Sequence, residues 1–176
     1  MITIFQRPLL PGWVYPCTVH DIREQLTRLP AEDLEGLLAV ALVPSTRKDH
    51  SASGRYYVHD YPTIHLLSYP ESLSYKQPAG TRQGDMEAGC VIERHFGMRL
   101  EKVGSRWYCR WSAEDLRRFT LEHVLIREVG HYVQYMERKR TGLQPWPSRR
   151  VSEQFAEAYA CRYLRERGAR RATRSS

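Results

Sequence analysis

Residues suited to metal or acid–base chemistry lie close together between Leu121 and Tyr135, in the letters LEHVLIREVGHYVQY. Glu128 carries a carboxylate, and His131 carries an imidazole, which is a common metal ligand. Apolar residues recur here with the period of an α-helix. Residues four positions apart lie one above the other on a helix, so His123, Arg127 and His131 form one ridge.

The letters from Arg127 to His131, R-E-V-G-H, differ by one from the pattern H-E-x-x-H. In that pattern two histidines one helical turn apart bind zinc, and the Glu acts as the base. A guanidinium has no lone pair for a metal and stays charged. His123 is no substitute, because it lies about 12 Å from His131 along the helix axis. The sequence therefore predicts no cofactor as written, and zinc only if the site is functional.

A second stretch, Glu153-Gln-Phe-Ala-Glu-Ala-Tyr-Ala, extends the pattern. Together the two stretches resemble the zincin metallopeptidases with a glutamate ligand, which carry H-E-x-x-H on one helix and E-x-x-A-D/E-x-x-A on the next. The resemblance implies that His131 matches the second histidine ligand, Glu128 the general base and Glu153 the third ligand. It also implies that Glu157 matches the acid that orients a ligand.

The resemblance also implies an α+β fold, a minimal zincin-like domain with a small mixed sheet packed on a long motif helix and a C-terminal helix. In such a fold Arg127 and Glu153 face each other across the two helices. We expect the guanidinium to stand near the vacated metal position and to pair with Glu153, with Glu157 as a further partner. We expect His123 to be a partly exposed helix residue.

The elements that must position these residues follow from periodicity and from Gly and Pro punctuation. Strands are predicted at 2–5, 37–43, 56–60, 63–69, 90–96, 98–103 and 106–111, with loops at 45–54 and 70–90. Helices are predicted from Thr18 or Asp21 to about Leu29, from Ser112 to about Arg140, and from Ser148 or Ser152 to Gly168, with a helical turn after Pro30. The sequence predicts a single domain at 1–168 and a basic, disordered tail at 169–176.

The composition bears on whether the chain spans a membrane and on the compartment in which it works. No stretch approaches the roughly 18 uninterrupted apolar residues of a membrane span, and the N-terminus lacks the pattern of a signal peptide. Cys17, Cys90, Cys109 and Cys161 are scattered without a C-x-x-C pair. We interpret them as reduced thiols of a cytoplasmic protein and assign them no role.

Three functions remain open. The first is a degenerate, non-catalytic zincin-like domain that binds a peptide or protein partner, for example by strand addition at a sheet edge. The second is an active zinc peptidase with an unusual ligand set. The third is a nucleic-acid-associated protein, because the net charge is +7 and arginines concentrate late in the chain. We favour the first, since the late arginines have no interleaved aromatic residues and suit a solvated face.

Overall fold

The computed structural model describes residues 1–45, 54–57, 61–77, 82–145 and 147–174. The strands are β1 Thr3–Gln6, β2 Trp13–Val14, β3 Ala39–Val43, β4 Gly54–Tyr57, β5 Thr63–Leu67, β6 Tyr69–Pro70, β7 Ser74–Lys76, β8 Arg99–Val103 and β9 Arg106–Arg110. The helices are α1 Val19–Leu26, α2 Gln83–Gly89, α3 Val91–His95, α4 Ala113–Phe119, α5 Leu125–Arg140 and α6 Arg149–Arg174, with a 3-10 turn at Ala31–Leu34. The chain thus has the predicted α+β class, with small sheets packed against a long helix and a C-terminal helix.

The largest sheet has the strand order β1-β3-β5-β4. β1, β3 and β5 are parallel, and β4 joins the edge antiparallel to β5. Alternate residues of β3 and β5 point into the main core, where Val40, Leu42, Ile64 and Leu66 are fully buried. The apolar run at 37–43 predicted a buried strand, and β3 confirms it. β4 and β5 confirm the predicted pair of neighbouring strands, although residues 58–60 lie outside the described residues.

The first helix begins with a capping box. The Thr18 hydroxyl accepts a hydrogen bond from the Asp21 backbone N–H at 3.1 Å, and the Asp21 carboxylate accepts one from the Thr18 N–H at 2.8 Å. Asp21 also pairs with Arg117 of α4 at 2.6 Å, which lowers the pKa of its carboxyl far below the usual range. The same carboxylate therefore starts α1 and attaches it to α4.

The predicted helix from Ser112 to Arg140 is present, with one irregular turn. The Ser112 hydroxyl accepts a hydrogen bond from the Asp115 N–H and starts α4. Between α4 and α5 the residues Thr120–Val124 form a π-helical turn. Such turns insert a residue into a helix and are frequent at functional sites.

Helices α5 and α6 approach each other closely at Gly130. A β-carbon at this position would lie 3.0 Å from the Ala156 Cα and 3.0 Å from the Tyr159 Cβ. Because those neighbours belong to the backbone and the first side-chain atom of α6, the approach requires glycine. Among the described residues no helix combines the length and the hydropathy that a membrane span requires.

Two predictions of local structure are wrong. The segment 70–90, expected to be a loop, contains β6, β7 and α2 within its described residues, and 90–96 forms helix α3 instead of a strand. β7 pairs with the distant strand β9, so no local pattern reveals it. The apolar letters of 90–96 suggested a strand, but Gly97 at φ +102° ends a short helix there.

The expected end of the last helix at Gly168 is also wrong, because α6 continues to Arg174. The chain beyond 168 was predicted to be a disordered tail, whereas residues 169–174 are helical. A glycine inside a helix costs only about 1 kcal/mol relative to Ala, and the Ala and Arg residues that follow it are good helix formers.

Candidate functional site

The ridge of the motif helix faces α6. His123, Arg127 and His131 each contact a polar side chain of that helix. Their partners are Glu157, Glu153 and Ser152 respectively. The residue numbers of the partners fall along α6 as those on α5 rise, so the two helices run antiparallel. The predicted site residues are therefore brought together in one cluster between the helices.

Arg127 is the centre of this cluster. Its Nη1 donates to Glu128 Oε1 at 2.9 Å, and its Nη2 donates to Glu153 Oε2. Its Nε lies 3.9 Å from Glu157 Oε2, at the limit of an ion pair. One guanidinium thus stands among three carboxylates, and the two nearest receive separate N–H groups.

Glu128 is the most enclosed member, with a residue exposure of 2%. Strand β4 passes directly over it. A β-carbon on Gly54 would lie 2.7 Å from Val124 Cγ1 and 3.0 Å from Glu128 Cγ. The missing side chain at Gly54 therefore allows the edge strand to lie against the motif helix.

His131 lies at the other end of the cluster. Its Nδ1 is hydrogen-bonded to the Ser152 hydroxyl at 2.9 Å, and its Nε2 lies 3.7 Å from Glu153 Oε2. Burial, and secondarily the positive charge of Arg127, lower its pKa to about 4. His131 is consequently a neutral imidazole at pH 7.

His123 is part of the same cluster, and the expectation that it is partly exposed is wrong. Only 6% of the residue is exposed, and its Nε2 donates to Glu157 Oε1 at 3.1 Å. The ring stacks on Phe119 at 5.4 Å with an angle of 16° between the planes. This hydrogen bond is the main reason that the pKa of Glu157 is lowered. Glu157 therefore lies against His123.

Glu93 of α3 is a residue that sequence reasoning did not single out. Burial raises the pKa of its carboxyl, and charge interactions with His123 and Glu157 act on it as well. Its segment was predicted to be a strand, so no sequence signal placed it near the motif helix. The sequence did indicate that His123 lies on the same helix ridge as Arg127, because the two residues are four positions apart.

The donor set of the cluster differs from that of a hydrolytic zinc site. Such a site needs three ligands and an open position for water. Within the described ranges, no group of three or more His, Cys, Asp or Glu side chains is arranged to hold a metal ion. The four cysteines are free thiols, and Cys161 contacts the cluster, with its Sγ 3.7 Å from Glu157 Oε1.

No protein-family model, curated protein or solved structure matches this chain. The likeness to zincins consequently depends on the two sequence stretches that carry it. The geometry adds one fact to them, namely that the two stretches face each other.

Proposed function

We propose that this chain is a zincin-like domain in which a guanidinium stands in place of the metal, and that it binds a peptide or protein partner without cleaving it. The observation that carries the proposal is the position of Arg127 between Glu128 and Glu153. Those two carboxylates correspond to the base and the third ligand of the family that the sequence resembles.

The residues present do not fit a catalytic zinc ion. Of the three ligand positions, only His131 and Glu153 carry lone pairs, and Glu153 already accepts a hydrogen bond from Arg127. A dication at this point would also stand beside a permanent positive charge. The arrangement therefore supports a site held together by ion pairs.

Glu128 is also poorly placed to act as a base. A general base must lie within hydrogen-bond reach of the proton that it removes. The Glu128 side chain is 3% exposed, and its Oε1 accepts from Arg127. This argues for a structural role of Glu128 in the present chain.

The partner is an extended segment that adds to the edge of β4. Among the described strands β4 has a neighbour, β5, on one side. Strand addition takes its affinity from main-chain hydrogen bonds, which need no catalytic group. The added strand would run beside Gly54, which lies against Val124 and Glu128.

Two measurements test the proposal. Elemental analysis is made on the chain and on Arg127→His, both purified without chelator, and both are assayed for casein cleavage. We expect neither zinc nor cleavage for the unchanged chain, and stoichiometric zinc for the variant. Stoichiometric zinc together with cleavage by the unchanged chain would overturn the proposal in favour of the active peptidase.

Partner binding is tested with a display library of random linear peptides. Peptides that add to β4 are expected to lose affinity when their backbone nitrogens are methylated, because methylation removes the donors of the sheet ladder. A selection that returns no binding peptide would contradict the partner-binding part of the proposal.

A further inference from the structure

A groove lies at the C-terminal end of the motif helix, beyond the ion-pair cluster. It has a volume of about 480 Å³ and is bounded by the last turns of α5, the loop that follows and the start of α6. Residues that line it include Gln134, Arg138, Arg140, Leu143 and Phe155. Its volume lies within the range of about 300–1,000 Å³ that is typical of ligand pockets.

A buried amide is among the groups that line the groove. Gln134 is 6% exposed and still lines the groove. A carboxamide offers donors and an acceptor together, so it can form two hydrogen bonds with one peptide group. Buried polar groups are normally hydrogen-bonded, so a ligand that reaches this amide gains by pairing with it. The Gln134 carboxamide therefore gives the groove a polar side chain that can bind a peptide group.

One wall of the groove is apolar. Leu143 is 55% exposed although it is a large aliphatic residue, and Phe155 of α6 is only partly covered. An apolar side chain of a ligand would bury these surfaces, and the removal of apolar area from water would favour binding.

The rim of the groove is cationic. Arg138 and Arg140 of α5 both line the groove. Glu137 is the acid that accompanies them in the lining. Arg138 donates from Nε to the Gln144 carbonyl at 2.7 Å, which holds its guanidinium at the rim. A ligand that carries carboxylates matches this charge.

We propose that this groove binds an acidic segment of a partner protein, with an apolar side chain against Leu143 and Phe155, a peptide group on Gln134 and a carboxylate at Arg138 and Arg140. A peptide fits better than nucleic acid, because the two arginines of the lining stand beside apolar side chains and a buried amide. The groove does not depend on the ion-pair cluster. Arg138 lies ten residues beyond Glu128, about 15 Å further along the helix.

The test uses peptides from the same display library, measured individually by fluorescence polarisation against the full chain. Selected peptides are expected to pair Asp or Glu with a neighbouring apolar residue. Gln134→Leu and Arg140→Glu should each weaken their binding about tenfold, since each removes a hydrogen bond or reverses a contacting charge. Arg106→Glu, at an exposed position that begins β9, changes the net charge by the same amount as Arg140→Glu and should have little effect.

Other results would overturn the inference. Binding peptides without acidic residues, or acidic peptides that bind Gln134→Leu and Arg140→Glu as tightly as the unchanged chain, would exclude this groove as their site. A single-stranded RNA oligonucleotide could also bind more tightly than the selected peptides. If Arg140→Glu abolished that binding, the groove would be assigned to nucleic acid. Circular dichroism of each variant shows whether it folds. If Gln134→Leu does not fold, Gln134→Glu replaces it and is expected to repel acidic peptides. Strand-adding peptides are recognised separately by their response to backbone methylation.

Discussion

His123 donates from Nε2 to Glu157 Oε1 across the helix pair, while its ring lies flat against Phe119. The imidazole therefore has two functions in the fold: it packs as an aromatic residue and it holds a carboxylate of α6. Its Nδ1 is buried, and among the described residues it has no hydrogen-bond partner. A buried nitrogen without a partner costs stability, which lowers the net contribution of this histidine.

His123→Phe is therefore expected to change the free energy of unfolding by less than about 1 kcal/mol. The new ring keeps the stack on Phe119 and removes the unpaired nitrogen, while Glu157 is partly exposed and can be hydrated. His123→Ala should lose about 3 kcal/mol, because it leaves a cavity in the aromatic cluster. Urea unfolding at pH 7 measures both values. Equal losses for the two variants would show that the hydrogen bond dominates over the packing.

Arg127→Met is expected to destabilise the fold by about 2 kcal/mol, since it removes a cation that pairs with the enclosed Glu128. Glu153→Gln should cost less than about 1 kcal/mol, because this side chain is more than a third exposed. The double variant Arg127→Met with Glu128→Gln should cost clearly less than the two single variants together. Additive losses in this double-mutant cycle would mean that Arg127 and Glu128 are not coupled.

Gly130→Ala is expected to destabilise the protein by about 1 kcal/mol. The gain in helix propensity is about 1 kcal/mol, whereas overpacking against α6 costs about 1–3 kcal/mol. Gly84→Ala is the matched control, because a β-carbon there would meet nothing within 4 Å. It should leave stability unchanged or raise it. Thermal unfolding of both variants gives the comparison, and a stabilised Gly130→Ala would contradict the close approach of the two helices.

Acid should weaken the fold through His131. Its pKa is about 4 in the folded chain and about 6.5 when unfolded, so the unfolded chain binds more protons between these values. Stability is therefore expected to fall as the pH is lowered from 6.5 towards 4. His131→Gln should flatten this part of the profile. Glu157, whose carboxyl pKa is lowered, contributes to the pH dependence of stability only below about pH 4.5, in the unchanged chain and in His131→Gln alike. If the variant kept the slope of the unchanged chain above that pH, the assignment to His131 would be contradicted.

The sequence predicted the elements with strong local signals. The apolar run of β3, the cap at Ser112 and the long motif helix all have patterns of their own, and the structure contains them. The segment 70–96 was predicted wrongly, because β7 depends on β9 for its pairing and α3 depends on the turn at Gly97. The residue types within one segment of the sequence do not show which distant segment it pairs with.

The arrangement of the site was only partly accessible to sequence reasoning. The spacing of His123, Arg127 and His131 indicated one ridge, and the acids of α6 indicated which helix that ridge would face. The π-helical turn at Thr120–Val124 and the enclosure of Glu128 beneath Gly54 had no such signal. Both depend on how β4 and α4 pack on the motif helix, which is a property of the tertiary structure.

The parallel core of the large sheet has a consequence for how fast the chain folds. Thr3 of β1 pairs with Ala39, and Ala39 pairs with Thr63, so each ladder closes a loop of more than twenty residues. Loop closure is an entropic cost that precedes the gain from non-local contacts. Helices α5 and α6, joined by a short connection, can associate without that cost. We therefore expect the helix pair to form early and the closure of β1 on β3 to limit the folding rate.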